Sequence, residues 1–239
     1  MDAGSTAGAD MFFLGYGPLI LAGARVTLEL ALLALAVSFV LGLMGAAAKL
    51  SNNPLLRVVA AAYTTLIRAV PDLVLMLLLF YGIQIGLNNL TDMLGVEAID
   101  IDPFFAGVLT LGFIYGAYFT ETFRGAFLAV PRGQLEAGYA YGMSGWQVFA
   151  RILFPQMMRF ALPGIGNNWL VAVKASALVT VIGLSDVVKA AEDAGQGTQD
   201  IFFFLLTAAG VYLVITTVSN LILMWLEKRY SIGVLESRL

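Results

Sequence analysis

The sequence of 239 residues contains no cysteine and no histidine. Without cysteine the chain can form neither a disulfide nor a thiolate metal site. Without histidine it lacks the usual zinc ligand and the usual general base of an enzyme. The net charge of −3 at pH 7 argues against a nucleic-acid partner. These absences disfavour a metalloprotein, a hydrolase and a nucleic-acid-binding protein.

Charged residues are also scarce, and apolar residues take their place. Only 12% of the residues are charged and 60% are hydrophobic, whereas a soluble domain carries about 25% charged and about 45–50% apolar residues. The mean hydropathy is +0.88. A chain of this composition cannot cover a water-facing surface, so we interpret it as an integral membrane protein embedded in a lipid bilayer.

Five segments are long and apolar enough to cross a bilayer as helices, which satisfy their own backbone hydrogen bonds there. We predict an all-α membrane protein in which residues 1–239 form a single transmembrane domain. The second span is predicted as one helix with a kink at Pro71, because proline removes a backbone donor. The predicted spans are about 19–48, 55–88, 103–124, 160–187 and 201–226.

The distribution of basic residues predicts the orientation of these spans. Ten of the 13 Lys and Arg residues fall on one side of the predicted topology, and basic residues are enriched on the cytoplasmic side of membranes. The loop at 88–102, on the opposite side, contains four acids and no base. We therefore predict that the N-terminus lies outside and the C-terminus in the cytoplasm.

Between the third and fourth spans, residues 131–155 form a segment that is too polar to cross the membrane. A break at 142–145 divides it into two predicted short helices, and Ser144 followed by Gln147 is a capping-box pattern for the second. Pro155 is predicted to end that second helix. An amphipathic helix pair lying on the membrane surface would have a similar composition.

The spacing in this segment resembles the cytoplasmic loop of ABC importer permeases. That loop has the form Glu-Ala-Ala, three residues, Gly, nine residues, Ile, one residue, Leu-Pro, and the spacing is the same here. Gly138 replaces the second alanine and Phe154 the leucine. The resemblance implies a type I ABC importer permease fold in which this segment is a coupling helix pair that docks onto an ATP-hydrolysing subunit. The implied docking residues are Glu136, Ala137, Gly138, Gly142, Ile152 and Pro155.

Three further stretches extend the resemblance over nearly the whole chain. Residues 64–73, 116–125 and 174–190 are similar to signatures of polar amino-acid permeases, and together they most resemble the Q-type subunits of histidine and lysine-arginine-ornithine importers. The resemblance implies alternating-access import of cationic amino acids across the bacterial inner membrane, with a periplasmic N-terminus. It also implies an M-type permease as the other half of a heterodimer, two copies of an ATP-binding subunit, and a periplasmic basic-amino-acid-binding protein.

The chain contains no Gly-x-x-x-x-Gly-Lys-Ser/Thr sequence, so it lacks the phosphate-binding loop of P-loop proteins. We expect no cofactor on this chain, with ATP and Mg bound by the partner ATPase. Two alternatives stay open. One is a homodimer instead of a heterodimer, and the other is half of an amino-acid carrier driven by an ion gradient.

Asp72 is the main candidate for substrate binding. It lies near the middle of the predicted second span, where an ionised group is costly without a partner or a wet cavity. Its carboxylate suits an ammonium or a guanidinium. An ion pair with Arg68 or Lys174 is the structural alternative. Lys174 itself is a weaker candidate, which could hold a substrate carboxylate or balance the charge of Asp72.

Glu121 is the third candidate, near the cytoplasmic end of the third predicted span. It could line the inner exit of a pathway, or it could form an ion pair with Arg124 one turn later. The outer loop before the fifth span is acidic and could attract cations, dock a binding protein, or simply be solvated. Its acids are Asp186, Glu192, Asp193 and Asp200.

Overall fold

The computed structural model describes residues 15–230, and every regular element in that range is helical. Both termini, whose sides of the membrane the sequence predicts, lie outside the described residues. The α-helices are α1 Gly17–Leu50, α2 Pro54–Ala69, α3 Asp72–Leu94, α4 Pro103–Ala129, α5 Arg132–Ala140, α6 Gly145–Val148, α7 Phe154–Ala175, α8 Val187–Thr198 and α9 Ile201–Tyr230. A π-helical turn, Phe149–Leu153, joins α6 to α7, and a 3₁₀ helix, Ser176–Ile182, follows α7.

Within the described range, five helical stretches are long and apolar enough to cross a membrane. This confirms the predicted all-α membrane fold with five spans. The observed stretches extend beyond several of the predicted bounds. They are Gly17–Leu50, Asp72–Leu94, Pro103–Ala129, Gly145–Ile182 and Ile201–Tyr230.

The second span differs from its prediction, because residues 55–88 do not form one kinked helix. α2 ends at Ala69, and Val70 is extended with φ −104° and ψ 141°. Proline disfavours the helical region for the residue before it, so Pro71 ends α2 instead of bending it. Asp72 is therefore in the first turn of α3, where the helix dipole favours a negative charge, and not in the middle of a span.

The fourth span also differs, because Pro155 does not end the second loop helix. The helical stretch runs from Gly145 to Ile182 without a break. Its π-helical turn, Phe149–Leu153, ends two residues before the proline. Such a turn has a wider hydrogen-bond pattern than an α-helix, which accommodates a residue that has no N–H to donate. The second half of the loop segment is thus the beginning of the fourth span.

The described chain divides into two compact units. The first unit consists of the chain up to Leu35, Asp72–Leu111 and Ala172–Thr216. Its core forms where α8 packs on α1 and α9, and the contact residues of α8 are small, which allows close approach. The buried core residues are Ile20, Val187, Ala190, Ala191, Ala194, Phe204 and Ala208.

The second unit consists of Ala36–Pro71, Gly112–Val171 and the chain from Thr217 onward. Here α1 packs closely on α4. The ring of Phe39 lies 4.8 Å from that of Phe123, and Ser38 Oγ donates a hydrogen bond to the carbonyl of Gly112 at 3.2 Å. Gly112 and Gly116 form a Gly-x-x-x-Gly step in α4. Gly116 faces Leu41 and Tyr63, so this part of the step serves packing within the chain.

Gly23 tests the packing of the first unit. A Cβ at this position would lie 2.7 Å from the carbonyl oxygen of Asp186 and 2.9 Å from the Cα of Val187. These are backbone atoms that cannot rotate away, and overpacking costs about 1–3 kcal/mol. We expect Gly23→Ala to lower the melting temperature of the purified protein in detergent. Gly210→Ala is the matched control, because a Cβ there meets nothing within 4 Å; equal melting temperatures for both variants would contradict the packing.

Candidate functional site

The segment at 131–155, which we call the coupling segment, is an ordered helical pair in the second unit. α5 begins after Pro131 and ends at Ala140, Tyr141 is its C-cap, and Gly142 follows with a φ of +77° that suits glycine. Ser144 caps α6: its Oγ accepts from the amide of Gln147 at 3.3 Å, and Gln147 Oε1 accepts from the amide of Ser144 at 2.8 Å. The predicted capping box is confirmed.

The motif residues of the coupling segment separate into an inner and an outer group. Gly138 is buried, and a Cβ there would lie 2.7 Å from Ile152 Cδ1 and 3.1 Å from Val148 Cγ2. Gly138 and Ile152 therefore hold α5 against the helical stretch that becomes the fourth span. Glu136 and Ala137 are exposed. Gly142 and Pro155 are exposed as well.

The coupling segment also exposes aromatic side chains that the sequence interpretation did not single out. Tyr141 is 89% exposed and Trp146 is 73% exposed, on either side of the Gly142 turn. Tyr139 is exposed too. Aromatic residues are enriched among the side chains that contribute most to protein–protein binding. In the sequence, aromatic residues within an otherwise polar segment were the signal that could have identified this exposed surface.

Glu121 lies in an ion-pair network of the second unit. Its carboxylate pairs with Lys49 Nζ of α1 and accepts from Arg124 Nε at 3.0 Å. Lys49 Nζ also donates to Thr64 Oγ1 of α2 at 2.6 Å. The predicted pair with Arg124 is confirmed, whereas Lys49 was missed because it lies 72 residues away in sequence. This network ties α1, α2 and α4 together, which favours a structural role for Glu121.

We expect Glu121→Gln to destabilise the protein, because it leaves the amine of Lys49 without its charged partner. The two side chains are only 14% and 22% exposed, and breaking a hydrogen bond to a charged group at such a position costs about 1–3 kcal/mol. Thermal melting in detergent measures this loss. Glu29→Gln is the matched control, since its pair with Arg25 is exposed and exposed pairs contribute little.

A double variant sharpens that experiment. Lys49→Met combined with Glu121→Gln removes both charges, so it should cost less than the sum of the two single changes. Strict additivity of the two losses would show that the Lys49–Glu121 pair does not hold the helices together.

The first unit contains the two other predicted substrate residues. Asp72 is partly buried in the first turn of α3, and Lys174 is exposed in the last turn of α7. The position of Asp72 beside Pro71 leaves it at a helix end, where a carboxylate is better tolerated than in the middle of a span.

Asp186 has surroundings that the sequence interpretation did not anticipate. It was expected in a loop, but it caps α8, a helix that was not predicted, and it is fully buried. Its Oδ1 accepts from Thr180 Oγ1 at 2.6 Å and from the amides of Val188 and Lys189 at 3.0 Å each. Its Oδ2 has no hydrogen-bond partner among the described residues. Burial raises the pKa of this carboxyl above its ordinary value.

A signal for this helix was present in the sequence. An aspartate directly before apolar residues at helical spacing is typical of a helix start, and here Asp186 precedes Val187, Ala190, Ala191 and Ala194.

The next base along the chain, Lys189, pairs with Asp193 at 2.8 Å. Between residues 15 and 230 there is no group of three or more acids that could hold a metal ion.

Five candidate membrane-spanning helices, with a polar helical pair between the third and the fourth, are the features of a transmembrane transport subunit. The chain belongs to the family of binding-protein-dependent transport system inner membrane components, whose family model matches residues 38–232.

Its relatives are permease subunits of ABC importers. It is 60% identical over 220 residues to the histidine/lysine/arginine/ornithine transport system permease protein HisQ of Salmonella typhimurium. The aligned region covers 92% of this chain and 96% of that protein. It is 39% identical over 216 residues to the octopine transport system permease protein OccQ of Agrobacterium tumefaciens, with coverage of 90% and 91%.

Solved structures agree with the predicted type I ABC importer permease fold. A crystal structure of an amino acid ABC transporter with histidines has a TM-score of 0.76 at 31% identity, and covers 96% of this chain and 99% of that chain. The inward-facing MetNI methionine ABC transporter has a TM-score of 0.68 at 17% identity, with coverage of 89% and 96%. The second likeness concerns the fold alone.

Proposed function

We propose that this chain is one permease half of an ATP-driven, binding-protein-dependent importer of cationic amino acids, namely histidine, arginine, lysine and ornithine. The observation that carries the substrate class is the 60% identity, over nearly the full length, to a permease named for those four amino acids. The acids at Asp72 and Asp186 support a cationic substrate, since a carboxylate binds ammonium and guanidinium groups well.

The proposed assembly has four further members. An M-type permease forms the other half of the pathway, two ATP-binding subunits dock on the cytoplasmic side, and a periplasmic protein delivers the basic amino acid. ATP and Mg bind to the ATPase and not to this chain. The proposed topology has a periplasmic N-terminus and a cytoplasmic C-terminus, and the bias of basic residues supports it.

The coupling segment gives the proposed assembly its mechanism. Glu136 and the exposed aromatic residues Tyr141 and Trp146 are the surface that meets the ATPase. Because Gly138 packs on Ile152, a push on α5 reaches the π-helical turn. From there the helical stretch continues to Ile182, so closure of the ATPase dimer would move the fourth span directly.

A pull-down tests the proposed partners. A tagged copy of the chain is purified from native membranes in mild detergent, and the proteins that come with it are identified by mass spectrometry. We expect an ATPase that contains a phosphate-binding loop sequence, together with a second permease. Recovery of the ATPase without a second permease would overturn the heterodimer in favour of a homodimer, and recovery of neither would overturn the assembly.

A further inference from the structure

We propose that the Asp186 carboxylate is the subsite that receives the positively charged group, ammonium or guanidinium, of the transported amino acid. The inference rests on the proposed function for its substrate class. Asp186 lies outside the motif of the coupling segment, and the relatives' names do not identify it.

The first observation is the unsatisfied oxygen. Asp186 has no exposed surface, and its Oδ2 has no hydrogen-bond partner among the described residues. A buried carboxylate oxygen left without a partner is costly, and buried polar groups in folded proteins are nearly always paired. A retained oxygen of this kind is suited to a partner that is present only part of the time.

Helix capping alone does not explain the unsatisfied oxygen. Asp102 caps α4 in the same manner, with its Oδ1 accepting from the amides of Phe104 and Phe105 at 3.0 and 3.1 Å. Asp102 is exposed, so its second oxygen can be solvated. A cap at position 186 would need no charge, because serine or asparagine caps a helix equally well.

The hydrogen-bond donors to Asp186 are neutral groups, so they fix the carboxyl group without supplying a positive charge. The three donors to Oδ1, from Thr180, Val188 and Lys189, hold the group in one orientation. The neighbouring polar side chains include hydroxyls and a like charge: Thr27 Oγ1 accepts from the amide of Val187 at 3.1 Å, and Ser176 and Tyr212 lie 3.4 Å apart. The carboxylate of Glu192 acts on Asp186 as a second negative charge. The base nearest in sequence is engaged with Asp193. A cation is therefore the complementary ligand for this site.

Access to Asp186 requires movement, as expected for a transporter. The backbone of residues 186–187 is in close contact with Gly23 of α1. A substrate cation reaches Oδ2 only in a conformation in which this contact of α1 with the start of α8 has opened. Alternating access supplies such conformations.

The test compares Asp186→Asn with Asp102→Asn in the complete importer reconstituted into proteoliposomes. Asparagine keeps the helix cap and removes only the charge. We expect Asp186→Asn to weaken the apparent affinity for arginine by about 10- to 100-fold, the effect of losing a hydrogen bond to a charged group, while Asp102→Asn stays within about twofold of wild type. Should Asp186→Asn fail to assemble, Asp186→Ser, another neutral cap, replaces it.

Competition by citrulline, a neutral analogue of arginine, identifies which cation is held. If Asp186 receives the guanidinium, the variant loses the preference of the wild type for arginine over citrulline. If it receives the α-ammonium, both ligands weaken equally. An assembled Asp186 variant with wild-type arginine affinity would overturn the inference, whereas a wild-type importer that moves no cationic amino acid would overturn the proposed function instead.

Discussion

Glu136→Lys is expected to abolish ATP-coupled transport or release the ATPase from the complex. Glu136 is exposed on α5, and in the proposed assembly its carboxylate pairs with basic residues of the ATPase. Reversing a charge at an interface places like charges together, which costs several kcal/mol. We therefore expect the amount of ATPase recovered with the variant, or its coupled transport rate, to fall by about tenfold or more.

The matched control for this variant is Glu97→Lys. Glu97 is also an exposed glutamate, but it lies in the connection between α3 and α4 and outside the coupling segment. The control should copurify with the ATPase as the wild type does. Normal coupling in Glu136→Lys, with the control behaving as expected, would refute the docking role of α5.

Asp72→Asn is expected to abolish the stimulation of ATP hydrolysis by cationic amino acids while the complex remains assembled. Asparagine has nearly the same shape, and Asp72 is at the start of α3, where both residues are tolerated. The loss of its charge would weaken binding of a cation by about 10- to 100-fold. ATPase activity of the reconstituted complex, titrated with arginine and histidine, measures this effect.

Asp92→Asn is the control for this second variant. Asp92 belongs to the same helix and is exposed near its other end, so it changes the same charge without altering the start of α3. Full stimulation by cationic amino acids in the Asp72 variant would defeat its role in substrate binding. Asp186 would then be the remaining acid proposed to bind the substrate.

Hydropathy and local spacing predicted the fold class correctly. A span needs about 20 apolar residues. Because these residues are consecutive in the chain, the sequence alone reveals them. The capping box of Ser144 and Gln147 is equally local, and the structure contains it. The Glu121–Arg124 pair lies within one helical turn and could be predicted for the same reason.

The effects of the two prolines could not be predicted from the same pattern. Pro71 separates two helices, whereas Pro155 lies inside a continuous helical stretch. The difference depends on the preceding turn: Val70 is extended, while the turn before Pro155 widens into a π-helix. Proline removes a donor in both cases, and only the surrounding packing decides whether the chain tolerates the loss.

Contacts between residues that are far apart in sequence could not be predicted either. Lys49 and Glu121 are 72 positions apart, and no local pattern joins them. Asp186 was assigned to an acidic outer loop because four acids occur close together. Its burial results from small residues of α8 and from the close approach at Gly23, which are properties of the packed structure.

ATP-driven uptake of labelled arginine tests the central claim most directly. The copurified complex is reconstituted into proteoliposomes together with the basic-amino-acid-binding protein, and uptake is measured with ATP, without ATP, and with an ion gradient alone. We predict that uptake requires ATP and is inhibited by histidine, lysine and ornithine. An ion gradient alone should drive no uptake. Uptake driven by the gradient without ATP would contradict the account.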